Sequence, residues 1–367
     1  MNVYLDYAAT APLSEEVFEA MLPYFKEQYG NPDSPHAYGR RAAYAVSEAR
    51  DRIAETLGVL PQEIYFTSGG TEADNWAVRR LGKGRAVLSA VEHSAVIEAG
   101  KLRADGSAVL PVAGNGCAEL AKAEELLDGA GLLCVMAVNN ETGCIQPVEE
   151  LGALCKTRGV LFFSDCVQAA GALDLKKIAG ACDAFSLSAH KVCGPKGAGA
   201  LVVKKGVSLR PLVAGGEQER GLRGGTLNVA GIVGFSVALA SAQRDREKNQ
   251  MKIAFLRDRF EQGVLSALGG EVCVNGENRV AGISHMTFKR GGTAFLNKLD
   301  LHGVACSGGA ACSAHSALPS HVLTAMGRSE EEARRGARFS FGADTTEAEI
   351  DYAIRTVVEC YLGVRGG

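Results

Sequence analysis

Short apolar runs alternate with stretches of helical periodicity from about residue 13 to about residue 240, and this alternation limits the fold more than any other feature of the chain. Strands that alternate with helices form mostly parallel sheets covered by helices. The polar and glycine-rich segments follow the apolar runs, so they lie at the carboxyl edge of the sheet, where open α/β sheets bind ligands. The sequence therefore predicts an α/β fold with a ligand site at that edge.

The chain after this alternating region has a different pattern. A charged helical stretch from Arg244 to Arg259 is followed by short strand-like runs at residues 282–288, 304–307 and 338–341. A chain of 367 residues is longer than one compact core usually holds. We therefore expect a large domain with a mostly parallel sheet and a second, smaller α+β domain.

The composition is typical of a globular protein in a reducing compartment. Hydrophobic residues make up 47% of the chain, and the formal net charge of −3 gives no basic surface for nucleic acid. We find no amino-terminal signal peptide and no run of about 18 apolar residues that would cross a membrane. The 11 cysteines include no Cys-x-x-Cys pair, so we expect a cytoplasmic protein without a disulfide framework or a structural metal site.

Lys191 lies where a lysine can act as a nucleophile. An apolar run ends at Ser188, His190 and Lys191, and the chain then breaks at Gly194-Pro195. A lysine at the mouth of a core strand is partly desolvated, which lowers its pKa and frees its amine to form a Schiff base. Because a Ser-x-His-Lys sequence alone is more often an ordinary polar loop, this interpretation depends on the segments that accompany it.

A second apolar run ends in an acid. Asp165 follows Phe162 and Phe163, and Gln168 comes three positions later. A carboxylate at this edge can hold a protonated pyridine nitrogen, and a Schiff-base lysine with such an acid is what pyridoxal 5'-phosphate (PLP) needs from a protein. The alternative is that Asp165 only caps a turn.

Two more strand ends offer groups for a phosphate and a ring. Residues 63–77 predict a strand, a glycine turn and a helix, so Gly70, Thr71 and the positive end of the helix can bind a phosphate. His93 follows the strand-like residues 86–89 and can stack on a flat ring or move protons. The alternative for residues 63–77 is an ordinary turn followed by a capped helix, and the alternative for His93 is a structural histidine.

Two segments are typical of ligand loops. Asn139 and Asn140 follow the apolar run 132–138 and can bind a cofactor oxygen or a substrate carboxylate, although asparagine is also common in turns. Residues 219–228 place two arginines among glycines with Thr226 beyond them, which suits an anion or a subunit contact. A solvated basic loop is the alternative for this second segment.

Cys312 lies in a segment of glycine and other small residues, 305–320. Such a segment leaves a thiol exposed on a loop that can carry it between two partners. Most cysteines in a reducing compartment are buried and inert, and this remains our interpretation of most of the others.

These motifs, in this order, resemble those of the cysteine desulfurases, which are PLP-dependent class V aminotransferases. The similarity extends to residues 4–10, 30–36 and 338–342, and it covers nearly the whole chain. It implies the fold type I, or aspartate aminotransferase-like, architecture of PLP-dependent transferases. It also implies a large PLP-binding domain over residues 13–246 and a small domain formed by residues 1–12 and 247–367.

The resemblance implies a role for each candidate residue. Lys191 would carry PLP as a Schiff base and move the α-proton of L-cysteine. Cys312 would take the sulfur as a persulfide, which releases L-alanine, while Asn140 and Arg338 would orient the substrate. The expected cofactor contacts are Asp165 at the ring nitrogen, Gln168 at the ring hydroxyl, His93 on the ring face, Asn140, and a phosphate site of Gly70, Thr71, Ser188, His190 and, from the partner subunit of a homodimer, Thr226.

The resemblance also implies a sulfur-acceptor protein, such as an iron–sulfur scaffold or a thiolation enzyme. Around Cys312 the substitutions relative to the family are mostly small for small, so we expect the same kind of loop. The short segment after residue 342 leads us to expect that a housekeeping-type scaffold binds weakly or that another acceptor is used. A selenocysteine lyase and a non-catalytic PLP-binding scaffold are the two alternative functions.

Overall fold

Strands and helices alternate along most of the chain. The structure is a computed structural model that describes residues 1–308 and 318–363. Its strands are β1 (Val3–Tyr4), β2 (Ile64–Thr67), β3 (Arg85–Ser89), β4 (Ser107–Leu110), β5 (Ala130–Cys134), β6 (Leu161–Asp165), β7 (Ala184–Ser188), β8 (Gly199–Val203), β9 (Val272–Val274), β10 (Ile283–Phe288), β11 (Val304–Ala305) and β12 (Gly336–Ser340).

The α-helices follow the same order along the chain. They are α1 (Glu15–Met21), α2 (Pro23–Lys26), α3 (Ala37–Leu57), α4 (Gly70–Arg80), α5 (Ser94–Lys101), α6 (Leu120–Leu126), α7 (Val148–Arg158), α8 (Leu175–Ala181), α9 (Val229–Arg244), α10 (Arg246–Leu268), α11 (Thr293–Leu301), α12 (His321–Ala325), α13 (Glu330–Arg334) and α14 (Glu347–Leu362). Within the described ranges, no helix is both long enough and apolar enough to cross a membrane.

The large sheet has the strand order β2-β8-β7-β6-β5-β3-β4. Strands β7, β6, β5, β3 and β4 pair in parallel, while β8 runs antiparallel to both of its neighbours, β2 and β7. The prediction of an α/β fold with a mostly parallel sheet is therefore confirmed. The predicted strand, turn and helix of residues 63–77 are β2 and α4.

Helices cover both faces of this sheet because its central strands are apolar on both sides. In β5, Leu132 packs into the hydrophobic cluster of α4 and α5, whereas Leu133 packs into the cluster of α3, α7, α8 and α9. Phe163 and Phe162 of β6 divide in the same way. Successive side chains of a strand point to opposite faces, so a strand buried on both faces is a continuous apolar run.

A smaller α+β unit contains the antiparallel sheet β12-β10-β9 and the parallel pair of β1 with β11. The ring of Phe260 from α10 lies 4.7 Å from that of Phe339 and 5.6 Å from that of Phe341. Val3 shares this core. Ile283, although it lies on β10 of the smaller sheet, packs into the core of the large sheet. The two cores are therefore in contact, and the domain boundaries at residues 12 and 246 stay a prediction.

Gly152 of α7 sets how closely this helix approaches α8. A Cβ at position 152 would lie 2.4 Å from the carbonyl oxygen of Ala181, well inside van der Waals contact. We expect Gly152→Ala to lower the free energy of unfolding by about 1–3 kcal/mol in urea denaturation, because overpacking forces the backbones apart.

Gly180→Ala in α8 is the matched control. A Cβ there would meet no described atom within 4 Å. Alanine in a helix is more stable than glycine by up to about 1 kcal/mol, so this variant should equal or exceed the unsubstituted protein. Equal unfolding free energies for the two variants would contradict the tight packing of α7 on α8.

Candidate active site

Lys191 lies at the carboxyl edge of the large sheet, one short helical turn after the end of β7. Its Nζ donates hydrogen bonds to the carbonyl oxygens of Ala8 at 2.5 Å and Ala9 at 2.9 Å. Gln168 Nε2 donates to the same Ala8 oxygen at 2.8 Å. The amino-terminal segment therefore joins two predicted site residues that lie 23 positions apart in the sequence.

Asp165 ends β6, the neighbour of β7, and its side chain is buried. Its Oδ1 accepts a hydrogen bond from Val167 N at 2.9 Å. Burial raises the pKa of Asp165, whereas nearby His93 and Lys191 act in the opposite direction and favour its charged form. The structure thus brings three of the predicted residues together, with a buried carboxylate suited to a cationic partner.

His93 is the N-cap residue of α5, and its Nδ1 accepts a hydrogen bond from Ala95 N at 3.1 Å. Burial lowers the pKa of His93, whereas the negative charge of Asp165 raises it, and the positive charge of Lys191 adds to the effect of burial. Since Nδ1 accepts the hydrogen bond from Ala95 N, Nε2 is the ring nitrogen that carries a proton.

The turn between β2 and α4 forms an open cradle. The N-cap residue of α4 is Gly69, which has a φ of +152°. Because glycine has no side chain, it cannot cap the first turn of the helix. A Cβ on Gly70 would lie 2.7 Å from Val167 Cγ2, and one on Gly69 would lie 3.6 Å from Ser188 Oγ. An uncapped helix start beside a serine hydroxyl suits an anion, and the exposed Thr71 lies on the same first turn.

His190 lies close to this cradle in sequence, two residues after Ser188. Its Nδ1 is 3.1 Å from Thr10 Oγ1. Burial, with the charges of Lys191 and Lys196, lowers the pKa of His190 to about 4. The ring is therefore neutral at physiological pH and has one N–H to donate.

Arg338 is fully buried and connects three distant segments. Its guanidinium donates to Asp6 Oδ1 at 2.8 Å and to the carbonyl oxygen of Asn140 at 2.7 Å. Its backbone N–H donates to the Ser307 oxygen at 2.6 Å. Asn140 and Arg338 are therefore brought together, although through the Asn140 backbone.

Thr226 is exposed on the segment before α9. The two arginines of this segment bind their own chain: Arg223 pairs with Glu72 of α4 at 2.8 Å, and the Arg220 guanidinium lies 4.0 Å from the centre of the Tyr65 ring. The segment is thereby tied to the first turn of α4, near the cradle.

Cys312 lies outside the described residues. The nearest described segments before and after it are attached to residues of the site through Ser307 and Ser320. Ser307 exchanges two backbone hydrogen bonds with Arg338, at 2.6 and 3.2 Å. Ser320 Oγ donates to the buried carboxylate of Glu141 at 2.5 Å.

The sequence did not indicate four other groups of this region: Asp6, Asp74, Glu92 and Ser186. Asp6 belongs to the motif of residues 4–10, which carried the resemblance without a role for the aspartate. Asp74 and Ser186 form a hydrogen bond of 2.6 Å although 112 positions separate them. One lies inside a helix and the other inside a strand, so no local pattern indicates their contact.

The chain is similar to known proteins over nearly its whole length. The model of the family described as aminotransferase class-V matches residues 3–353. The chain belongs to this family. Proteins named cysteine desulfurase IscS from Clostridium botulinum and Dictyoglomus turgidum are 38% and 41% identical to it, over 97% and 96% of this chain and 93% of each relative.

Solved structures give the same result. A structure titled NifS-like protein has a TM-score of 0.90 and 34% identity, and the match covers 98% of this chain and 99% of that one. A structure titled SspA in complex with cysteine has a TM-score of 0.81 and 32% identity, covering 94% of this chain and 100% of that one. The resemblance to cysteine desulfurases and the fold type I architecture are thus confirmed.

His285 lies on β10 opposite Arg338 of β12, and its Nδ1 is 3.0 Å from Asn275 Nδ2. Burial and the charges of Arg338 and Arg279 lower the pKa of His285 to about 3. A histidine whose pKa is lowered on folding costs stability as the pH falls below its unfolded pKa of about 6.5. From pH 7 to pH 5 this amounts to about 2 kcal/mol.

We therefore expect His285→Gln to lose less unfolding free energy than the unsubstituted protein between pH 7 and pH 5 in urea denaturation. The variant can be less stable at pH 7, and only the change with pH is compared. His302→Gln, at an exposed position of the same unit, should follow the unsubstituted protein. An unchanged pH dependence in His285→Gln would contradict the assignment.

Proposed function

We propose that this protein is a PLP-dependent cysteine desulfurase, which converts L-cysteine into L-alanine and transferable sulfur held as a persulfide on Cys312. The observation that carries the proposal is the meeting of Lys191, Asp165 and His93 at one edge of the sheet. The names of the relatives, at 38% and 41% identity, support the reaction. The cysteine complex of the SspA structure supports the substrate.

The site residues fit PLP as a group with a basic ring nitrogen and a phosphate arm. Asp165 holds the protonated nitrogen, since its buried carboxylate is stabilised by a cation. The open start of α4, with Gly70, Thr71, Ser188 and the neutral His190, holds the phosphate. His93 would cover the ring face, and Gln168 would bind the ring hydroxyl.

The bound cofactor supplies an electron sink for negative charge that develops on the substrate. Lys191 Nζ takes the proton from the α-carbon of L-cysteine, and its contacts with the Ala8 and Ala9 carbonyls place it at this edge. Arg338 binds the substrate carboxylate, with Asn140 beside it. A guanidinium suits this role because it presents two parallel N–H donors to a carboxylate.

Cys312 then receives the sulfur. Its thiolate attacks the sulfur of the substrate, so an S–S bond forms while the Cβ–S bond breaks. The electron pair of the broken bond stays with Cβ, which takes up a proton, and Lys191 returns the proton to the α-carbon, so L-alanine leaves. The persulfide keeps the sulfur until an acceptor protein or a small thiol removes it.

The active form in this proposal is a cytoplasmic homodimer in which Thr226 reaches the phosphate site of the partner subunit. Its support is the exposure of Thr226 on a segment held against α4 by the pair of Arg223 with Glu72. A reducing compartment is supported by the ten described cysteines, which are all free thiols.

Lys191→Ala and Cys312→Ser should separate the cofactor from the sulfur carrier. The protein incubated with PLP should be yellow, and borohydride should fix PLP to Lys191 but not to the alanine variant. Neither variant should release sulfide from L-cysteine with a reductant. Cys312→Ser should still bind PLP, because Lys191 is intact, but should form no persulfide by mass spectrometry.

Three outcomes would count against the proposal or its details. A protein that stays colourless with PLP would overturn the function. A persulfide on another cysteine, such as Cys306, would overturn the assignment of Cys312. Release of selenide from selenocysteine, without sulfide from cysteine, would identify a selenocysteine lyase instead.

Arg338→Lys should raise the KM for L-cysteine by about tenfold to a hundredfold, the loss expected for one hydrogen bond between charged groups. Lysine cannot reproduce the two-pronged contact. Arg334→Lys, at a surface ion pair with Glu330, is the control and should keep its KM. A KM unchanged in Arg338→Lys, measured from alanine formation, would remove Arg338 from substrate binding.

A further inference from the structure

Helix α12 begins against two loops of the large sheet, and both loops carry residues of the site. One loop follows β3 and leads to His93, and the other follows β5 and contains Asn140. Val322 and Leu323 of α12 are buried in a hydrophobic cluster with Val91, which lies two residues before His93. Through this packing, a helix near the carboxyl end of the chain is attached to the edge of the large sheet.

The first polar contact joins α12 to the loop of Asn140. Ser320 is the N-cap residue of α12, and its Oγ accepts a hydrogen bond from Leu323 N at 3.2 Å. The same hydroxyl donates to Glu141 Oε2 at 2.5 Å. Ser320 and Glu141 are 5% and 1% exposed, so little water competes for this hydrogen bond.

The second polar contact joins α12 to the loop of His93. His321 Nε2 is 3.0 Å from the carbonyl oxygen of Glu92. Because a carbonyl oxygen only accepts hydrogen bonds, Nε2 is the donor and carries a hydrogen. Burial lowers the pKa of His93 and raises that of Glu141, and the charge of a protonated His321 lowers both. His321 therefore lies near both loops.

The two loops are also joined to each other. Asn139 Nδ2 donates to the carbonyl oxygen of Val91 at 3.0 Å. Its Oδ1 accepts hydrogen bonds from Glu141 N at 3.0 Å and from Thr142 N at 2.8 Å. The Asn139 side chain is thus used within the protein, and it completes a frame of three segments: residues 91–93, 139–142 and 320–321.

The peptide unit between Asn140 and Glu141 is held at three points of this frame and its surroundings. Its carbonyl oxygen accepts a hydrogen bond from Arg338 at 2.7 Å, and its N–H donates to Asn139 Oδ1. The side chain of Glu141 is held by Ser320. Because a peptide unit is planar, movement of Glu141 turns the Asn140 carbonyl away from the guanidinium of Arg338.

We propose that Ser320 and Glu141 are positioning residues for the carboxylate of the substrate. The hydrogen bond between them fixes the peptide unit whose carbonyl binds Arg338, and so sets the orientation of the guanidinium. Neither Ser320 nor Glu141 touches the substrate itself. The consequence for L-cysteine rests on the proposed function, in which Arg338 binds the substrate carboxylate.

Ser320→Ala tests the effect on substrate binding. In protein that also carries Cys312→Ser, sulfur transfer is blocked, and the dissociation constant of L-cysteine can be measured from the absorption of bound PLP. The buried Glu141 loses its donor, so this constant should rise by about tenfold, the effect of one buried hydrogen bond. The affinity for PLP should stay unchanged, because its proposed phosphate and ring-nitrogen contacts lie at α4 and β6. Ser320→Thr restores the hydroxyl and should recover the affinity for L-cysteine.

Ser329→Ala is the matched control. Ser329 is the N-cap residue of α13, and its Oγ accepts from Glu332 N at 3.2 Å and donates to Glu332 Oε2 at 2.9 Å, so these bonds stay within one helix. Both substitutions remove a helix cap, but only Ser320→Ala also removes the contact with Glu141. Equal affinities for L-cysteine in the two variants would contradict the proposal.

The frame can also be tested without PLP or L-cysteine, which separates this proposal from the proposed function. In cofactor-free protein, Ser320→Ala should speed amide hydrogen exchange in a peptide that contains residues 139–143, because the turn loses an attachment. Ser329→Ala should leave this exchange unchanged, and Ser320→Thr should restore it.

Glu141→Ala removes the same hydrogen bond from its other end and replaces Ser320→Ala if that variant does not fold. Exchange that is as slow in these variants as in the unsubstituted protein would overturn the proposal. If instead the exchange is faster, but L-cysteine leaves the absorption of PLP unchanged in Cys312→Ser protein, the positioning contact stands and only the proposed function fails.

Discussion

The buried guanidinium of Arg338 is the interaction on which the geometry of the site depends. It joins Asp6 near the amino terminus, the loop after β5 through Asn140 and, through its backbone, Ser307. A buried charge is tolerated only when it is paired and well hydrogen bonded. The position of Arg338 therefore fixes three segments that no single secondary-structure element could hold together, and it couples the smaller sheet to the edge of the larger one.

Acidic groups dominate the other side of the site. Glu92 and Asp74 are buried together with Asp165, and burying carboxyl groups lowers stability unless each is protonated or hydrogen bonded. Ser89, Ser186 and the backbone of Met136 supply those bonds. A hydrophobic interior would be more stable than these buried carboxyl groups. Proteins accept such a loss of stability mainly at functional sites, where a buried charge is held in a fixed orientation.

Local patterns predicted the fold and pointed to the candidate residues at the strand ends, whereas contacts between distant parts of the chain could not be predicted. The strand, turn and helix of residues 63–77 were predictable because glycine and apolar periodicity act over a few residues. Lys191 and Asp165 were indicated because each follows an apolar strand. The partners of Arg338 were not, since 332 positions separate it from Asp6. The hydrogen bond of Ser186 with Asp74 could not be predicted either, because 112 positions separate the two residues.

The segment that leads to Thr226 shows how backbone strain supports a binding edge. Glu219 and Arg220 have φ values of +46° and +62°, a region that costs about 1–3 kcal/mol per residue. The buried Glu219 carboxylate offsets this cost, because it accepts hydrogen bonds from Arg50 at 2.6 Å and from Phe66 N at 2.8 Å. Phe66 belongs to β2, which leads into the cradle of α4. The strained turn is therefore fastened to the same strand that positions the cradle, so Thr226 and the helix start keep a fixed relation to each other.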